Sequence, residues 1–360
     1  MSKAPDCLAA LFGFSLFTLS SLAAADLLDP DGKPADMSKP VKVFILLGQS
    51  NMVGLGKIKG ADKPGSLEHS VKTEKLYPFL VDDAGNWTER KDVRNVRVMV
   101  GKGGGMQLFN NEFMSVKGKN MGPEFGIGHP LGNAIDEPVM ILKSCIGNRG
   151  LGWDLLPPGS EGFEYTGVDR KTKKEVTWQY AGYKQSPNRW EKGTEPQPIA
   201  WYAGKQYDDD VANAKKVLAE LDTYYPGAKG YEVAGFFWWQ GEKDCGDPAL
   251  AARYEKNLVN VIKSLRKDFN APNAKFVLAT LGESVKGKAT GAEGDVLNAH
   301  LAVDGKTGKY PEFKGNVATV YSNPLSQGGS GNGHYGGNSR TYMDIGLAMG
   351  DAMVGLLKGK

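Results

Sequence analysis

Six short apolar runs, rich in β-branched residues, recur along the chain at 41–48 (VKVFILLG), 95–101, 138–145, 231–240, 274–282 and 316–323. Several are nearly continuous rather than alternating, the pattern of strands covered on both faces. Between them lie segments of helical spacing. Val211, Ala214, Leu218 and Leu221 form one such stripe, and Leu250, Tyr254, Leu258, Val261 and Leu265 a second, with Asp247 and Pro248 placed as N-cap and first helical residue. A last helix is expected over about 337–357, carrying Ile345, Met349 and Met353. Strand–helix alternation predicts an α/β fold with an open, mostly parallel sheet and helices on both faces. In such sheets the site lies beyond the carboxyl ends of the strands. The 360 residues suit one large domain or two modest ones, and the runs are read as one domain over 41–360.

One stretch breaks the rhythm. Residues 151–203 are rich in Gly, Pro and aromatics and include Trp153, Trp178, Trp190 and Trp201. A long insertion after a strand end is commonly functional or disordered, and this many large rings argue against disorder. It is expected to pack as a flap, with some of its rings lining a cleft.

The first 25 residues read as an export signal: Lys3, an apolar stretch over 8–23, and Ala23–Ala25 as a small-residue cleavage site before Asp26. The expected location is therefore secreted or periplasmic, with no membrane association after cleavage. A polar leader, 26–40, follows. Cys7 leaves with the signal; Cys145 and Cys245 remain, either as a disulfide or as two buried thiols. With 44 Lys and Arg against 41 Asp and Glu, the net charge of +3 gives no electrostatic case for nucleic acid. The glycine-rich segment 54–60 has the wrong spacing for a dinucleotide fingerprint, and no phosphate-binding loop motif follows any strand.

The strand ends are more informative. The first delivers Ser50 within GQSNM (48–52), the third ends in CIGNRG (145–150), the fourth in WWQGEKD (238–244), and GNGHYGGN (331–338) places His334 before the last helix. One sheet edge thus collects a hydroxyl, close-approach glycines, an amide, a carboxylate and an imidazole. These are the parts of a serine esterase: a nucleophile, a base and N–H groups for an oxyanion. Each part has a plainer reading, since a Gly-x-Ser after a strand is often only a turn or an N-cap. Gln49 and Asn51 are read as amides that brace or line the site, and Trp153 and Trp239 as rings that could touch substrate.

GQSNM, WWQGEKD and GHYGG, with the intermediate block LKSCIGNRGLGWDLLPPGS (142–160), resemble the SGNH-type hydrolases, most closely their sialate O-acetylesterase-like branch, which is similar to carbohydrate acetyl-xylan esterases. The resemblance spans roughly 41–357. It implies a three-layer α/β/α flavodoxin-like fold, Ser50 as nucleophile and His334 as base. It also implies an oxyanion hole made of the Ser50 N–H, a backbone N–H at Gly147 or Asn148, and the Gln240 side chain. No metal or organic cofactor is required. The implied substrate is an O-acetylated glycan or small carbohydrate ester. Many SGNH enzymes carry an aspartate three residues before the histidine, but here that position is Gly331. Glu242 is the first candidate to orient His334, Asp244 the second, and a backbone carbonyl of 326–333 the third. Two other classes stay open: a carbohydrate-binding protein that has lost catalysis on this scaffold, and a lipolytic SGNH enzyme.

Overall fold

A computed structural model describes residues 34–101, 104–169 and 171–359. The expected signal segment, Cys7 and the beginning of the polar leader lie outside the described residues. The strands are β1 (Val41–Gly48), β2 (Gly56–Lys57), β3 (Glu89–Val100), β4 (Met106–Ser115), β5 (Asn120–Met121), β6 (Val139–Ser144), β7 (Phe163–Val168), β8 (Glu175–Tyr180), β9 (Arg189–Glu191), β10 (Tyr231–Trp239), β11 (Lys275–Ala279) and β12 (Val317–Val320). The α-helices are α1 (Ser50–Val53), α2 (Glu124–Ala134), α3 (Lys205–Ala219), α4 (Leu221–Tyr224), α5 (Glu242–Cys245), α6 (Pro248–Asp268), α7 (Gly291–Ala302) and α8 (Ser339–Leu357).

Seven strands form the central sheet in the order β12-β11-β10-β1-β6-β3-β4. Every pairing is parallel except β3 with β4. Side chains alternate across a strand, so β1 feeds two cores. Val43, Ile45 and Leu47 pack beneath α3, α6 and α7. Phe44 and Leu46 pack beneath α2 and α8. The result is three layers, helices–sheet–helices, as the continuous apolar runs predict.

After β1 the chain lays down β3 and β4, inserts β6 between β1 and β3, then adds β10, β11 and β12 on the other side. The strand order therefore reverses at β1, and the carboxyl ends of β1 and its neighbours β6 and β10 flank the reversal. That is where an open α/β sheet makes its crevice.

The expected caps form. Asp247 accepts the Ala249 N–H at 3.0 Å to start α6. Asn338 accepts the Arg340 N–H at 3.0 Å to start α8. Within the aromatic insertion, β7, β8 and β9 make a separate three-stranded antiparallel sheet. Cys145 and Cys245 are free thiols. They pack into cores on opposite faces of the central sheet, which keeps them apart. No helix among the described residues is long and apolar enough to cross a membrane.

Candidate active site

β1 ends at Gly48, whose φ of 144° suits glycine alone, and a Cβ there would run into the Trp239 carbonyl of β10. Gln49 N–H donates to that same carbonyl at 3.2 Å, tying the two strand ends together. Ser50 then opens α1, so its N–H has no partner within the helix. From β6, Gly147 comes in close: a Cβ on it would lie 3.4 Å from Ser50 Cβ. Asn148 is held at φ 58°, a left-handed conformation. Among the described residues the N–H groups of Gly147 and Asn148 have no acceptor. Backbone donors without acceptors thus lie at the turn that approaches Ser50 and at the start of its helix.

The amides beneath are ordered by a carboxylate. Asp244 Oδ2 accepts from Gln240 Nε2 at 2.7 Å and from Leu151 N–H at 2.8 Å, while Oδ1 accepts from Gly152 N–H at 2.7 Å. Gln240 Nε2 also reaches Gln49 Oε1 at 3.1 Å and the Arg149 carbonyl at 3.0 Å, and Tyr254 donates to Gln240 Oε1 at 2.8 Å. Gln240 is 0 % exposed. Its amide is a brace, and this corrects its assignment as an oxyanion donor: both its hydrogens are taken by acceptors pinned from below. The same geometry fixes Gln49. Its Oε1 accepts from Gln240 and from Lys243 N–H at 3.4 Å, leaving its NH₂ without a protein acceptor among the described residues. Asp244, committed to this network, does not serve His334, which corrects the second candidate. Burial pushes its carboxyl up to about 6, against the hydrogen bonds it accepts.

Asn51 is fully buried. Its Nδ2 donates to Glu242 Oε1 and, at 3.2 Å, to the Gly331 carbonyl, and its Oδ1 accepts from Tyr342 at 3.2 Å. It staples the Ser50 helix to the histidine loop and does not line a cleft. Trp239 is likewise not a lining residue. The alternation of β10 turns it into the α2/α8 core, stacked on Tyr335 with ring centres 5.8 Å apart. Trp153 is half-buried against Leu156, Ala181 and Ala203, inside the small core of the insertion.

His334 and Tyr335 are consecutive residues at φ 55° and 52°. Such a pair persists only where the surroundings hold it. Tyr335 is the anchor: it is buried, and its hydroxyl accepts from Gly282 N–H at 3.1 Å. This leaves the His334 ring half-buried at the edge, with no hydrogen-bond partner among the described residues; Ser50 Oγ has none either.

Gly331 explains the missing aspartate. A Cβ at that position would lie 2.7 Å from Glu242 Oε1 and 2.9 Å from Glu283 Oε2. Two carboxylates from neighbouring strand ends fill the space that a side chain at 331 would use. Glu283 Oε2 accepts the Gly331 N–H at 2.8 Å. Glu242 is 8 % exposed, and its Oε2 has no hydrogen-bond partner among the described residues. Burial pushes its carboxyl up to about 7, the charges of Glu283 and Asp244 adding and the Asn51 hydrogen bond opposing. Glu283 was missed by the sequence reading. The signal for it was there, an acid directly after the apolar run 274–282 that contains β11, on the same sheet edge as the rest.

Beside the insertion, the rings of Tyr165 and Trp178 line a groove of about 360 Å³ that reaches Asp247 at the start of α6. Arg189 stacks on Trp178 at 4.7 Å. Among the described residues no group of three His, Cys, Asp or Glu is placed to hold a metal ion.

Residues 180–354 match the family model described as carbohydrate esterase, sialic acid-specific acetylesterase. The match takes in Gln240, Glu242, Glu283 and His334 and begins after Ser50. Solved structures with a similar chain course include a protein from Arabidopsis thaliana (16 % identity, 88 % of this chain and 98 % of that one, TM-score 0.45). They also include a carbohydrate acetylesterase from Xanthomonas citri (13 % identity, 89 % and 57 %, TM-score 0.49) and NanS (15 % identity, 81 % and 80 %, TM-score 0.40). No curated protein matches the chain. The family match over residues 180–354 and the three-layer sheet agree with the strand-end motifs: the chain is similar to the sialic acid-specific acetylesterases over that half and is a carboxylic ester hydrolase.

Proposed function

We propose that the protein is a secreted serine esterase that hydrolyses O-acetyl esters on carbohydrates through an acyl-enzyme. The observation that carries this reading is the setting of Ser50, at the end of β1, against Gly147 and beside unpaired backbone donors. Ser50 Oγ attacks the acetyl carbonyl carbon while His334 takes the serine proton. The carbonyl oxygen becomes an oxyanion facing the N–H groups of Ser50, Gly147 and Asn148 and the Gln49 amide. The intermediate collapses, the sugar oxygen leaves with the proton from His334, and acetyl-Ser50 remains. Water, deprotonated by His334, then attacks the acyl group, and acetate departs. The ionised Glu242 carboxylate serves as acceptor for the His334 Nδ1–H once substrate closes the site, and Glu283 holds the loop through Gly331. The aromatic groove of the insertion fits a neighbouring part of a glycan, where rings stack on sugar faces. Secretion rests on the N-terminal segment, whose export signal reads from the sequence alone.

The test is acetate release from a panel of O-acetylated glycans. The expected result is turnover of at least one glycan by the native chain and its loss in Ser50→Ala. Equal release by Ser50→Ala overturns the mechanism. Turnover of long-chain esters without acetyl esters replaces the acetylesterase reading with a lipolytic one.

A further inference from the structure

The helix that Ser50 begins, α1, is a single turn (Ser50–Val53). A turn this short does not hold itself, and its last carbonyls have no donor within the helix. Two bonds close it: the Gln49 carbonyl accepts the Val53 N–H and the Ser50 carbonyl accepts the Gly54 N–H, each at 2.9 Å. The Val53 carbonyl is met from outside the turn, by the Lys143 ammonium at 3.1 Å. Lys143 stands on β6 opposite Leu46 of β1, on the strand whose end leads into the Gly147 turn.

Lys143 is 1 % exposed, and its ammonium donates to Glu124 Oε2 at 2.5 Å. Glu124, the first residue of α2, accepts the Gly122 N–H through Oε1 at 3.1 Å. Gly122 in turn abuts the end of α1: a Cβ on Gly54 would lie 2.2 Å from the Gly122 nitrogen. One carboxylate therefore holds the turn at two points, the Val53 carbonyl through Lys143 and the Gly54 backbone through Gly122. Stability alone does not account for the pair. Lysine goes fully into a core only with a partner, and neutral side chains of similar volume in place of a buried pair commonly leave a fold as stable or more so.

We infer that Lys143 is a positioning residue for the nucleophile. With Glu124 it clamps the carboxyl end of α1, and so sets where Ser50 and its N–H stand against the Gly147 turn. Lys143 touches no reacting atom; it acts through the backbone of α1. The geometry matters because a displacement of about 1 Å at a reacting group can cost about a hundredfold in rate. A single turn released at its carboxyl end is free to make such a shift. The inference rests on Ser50 being the nucleophile.

The experiment compares the full native chain with the double variant Lys143→Met/Glu124→Gln. The pair of substitutions removes both charges together, nearly keeps the side-chain volumes and leaves an amide oxygen for the Gly122 N–H. Three quantities are read: the urea unfolding midpoint, the rate at which a fluorophosphonate labels Ser50, and kcat and KM for 4-nitrophenyl acetate. The expected result is a midpoint close to native, with labelling and kcat at least tenfold lower and KM within about twofold. Gly122→Ala loosens the same clamp without touching its charges, since a Cβ there lies 2.7 Å from Glu124 Oε2 and 3.0 Å from Lys143 Nζ. It should slow labelling as well, and it carries the test if the double variant fails to fold. A native labelling rate in either folded variant, or rates that fall only in step with the folded fraction, overturns the proposal. Failure of the esterase reading looks different: there Ser50 goes unlabelled in the native chain itself.

Discussion

At the scale of single residues, the amide next to the serine and the amide on the neighbouring strand differ in what they are bonded to. Gln240 is buried under three acceptors, whereas the NH₂ of Gln49 has no protein partner among the described residues. Gln49→Ala should therefore lower kcat by about 10²–10³ with little change in unfolding midpoint. Gln240→Leu should chiefly lower stability, by about 1–3 kcal/mol in denaturant titration, because it strips Asp244 of a buried donor. If Gln240→Leu folds as well as the native chain and loses only kcat, Gln240 is the donor after all. Glu242 gives a second test, through pH. Its folded carboxyl is raised from 4.5 to about 7, so the native state holds its proton more tightly than the unfolded chain. The associated stabilisation is complete below the unfolded value and is lost as pH rises through about 7. Glu242→Gln should consequently raise the melting temperature at pH 8 relative to the native chain and have less effect at pH 5. It should also remove the rise of activity with pH near 7. A native pH–rate profile flat from 5 to 8 would contradict the role given to the ionised carboxylate.

At the scale of elements, the site is a set of close approaches between segments that follow five of the strands, β1, β6, β10, β11 and β12. Gly331 lies against Glu242 and Glu283 in the position where the histidine loop of many SGNH enzymes carries its acid. Gly331→Asp alone should reduce kcat/KM at least tenfold, because a third carboxylate is forced against two others. Combined with Glu242→Ala, which vacates the space, the same substitution should recover part of the activity; no recovery in the double variant would show that Glu242 and position 331 are not interchangeable. The sequence made some of these elements plain and hid others. β1 and the capped helix α6 were legible because apolar runs and an Asp-Pro cap act locally. Residues of β4 were not: its side chains are half-exposed, so no apolar run marks it, and it is held by pairing with β3. The three-stranded sheet of the insertion was hidden for the same reason. Ser50 and Gly147 could be picked out because each follows a strand, and His334 because it stands in a Gly- and Asn-flanked loop before the last helix. The bracing roles of Gln240 and Asn51 could not, since they depend on Asp244, Tyr254 and Tyr342, which arrive from other elements.

At the scale of the whole molecule, the two cores on opposite sheet faces meet only through the strands. Leu258 of α6 belongs to one and Met349 of α8 to the other. Leu258→Ala and Met349→Ala should each cost about 2–5 kcal/mol, and the double variant their sum to within about 0.5 kcal/mol. Marked non-additivity in urea unfolding would argue against two separate cores. The sheet brings to one edge residues far apart in the chain: Ser50 after β1, Gly147 after β6, Glu242 after β10, Glu283 after β11 and His334 from the loop before α8. The central claim is that these residues make Ser50 a nucleophile, and active-site labelling with a fluorophosphonate probe, read by peptide mass spectrometry, tests it most directly. The account predicts a single adduct on the peptide bearing Ser50, absent from Ser50→Ala and slowed at least a hundredfold in His334→Ala. Labelling at another serine, or unchanged esterase activity in Ser50→Ala, would contradict it.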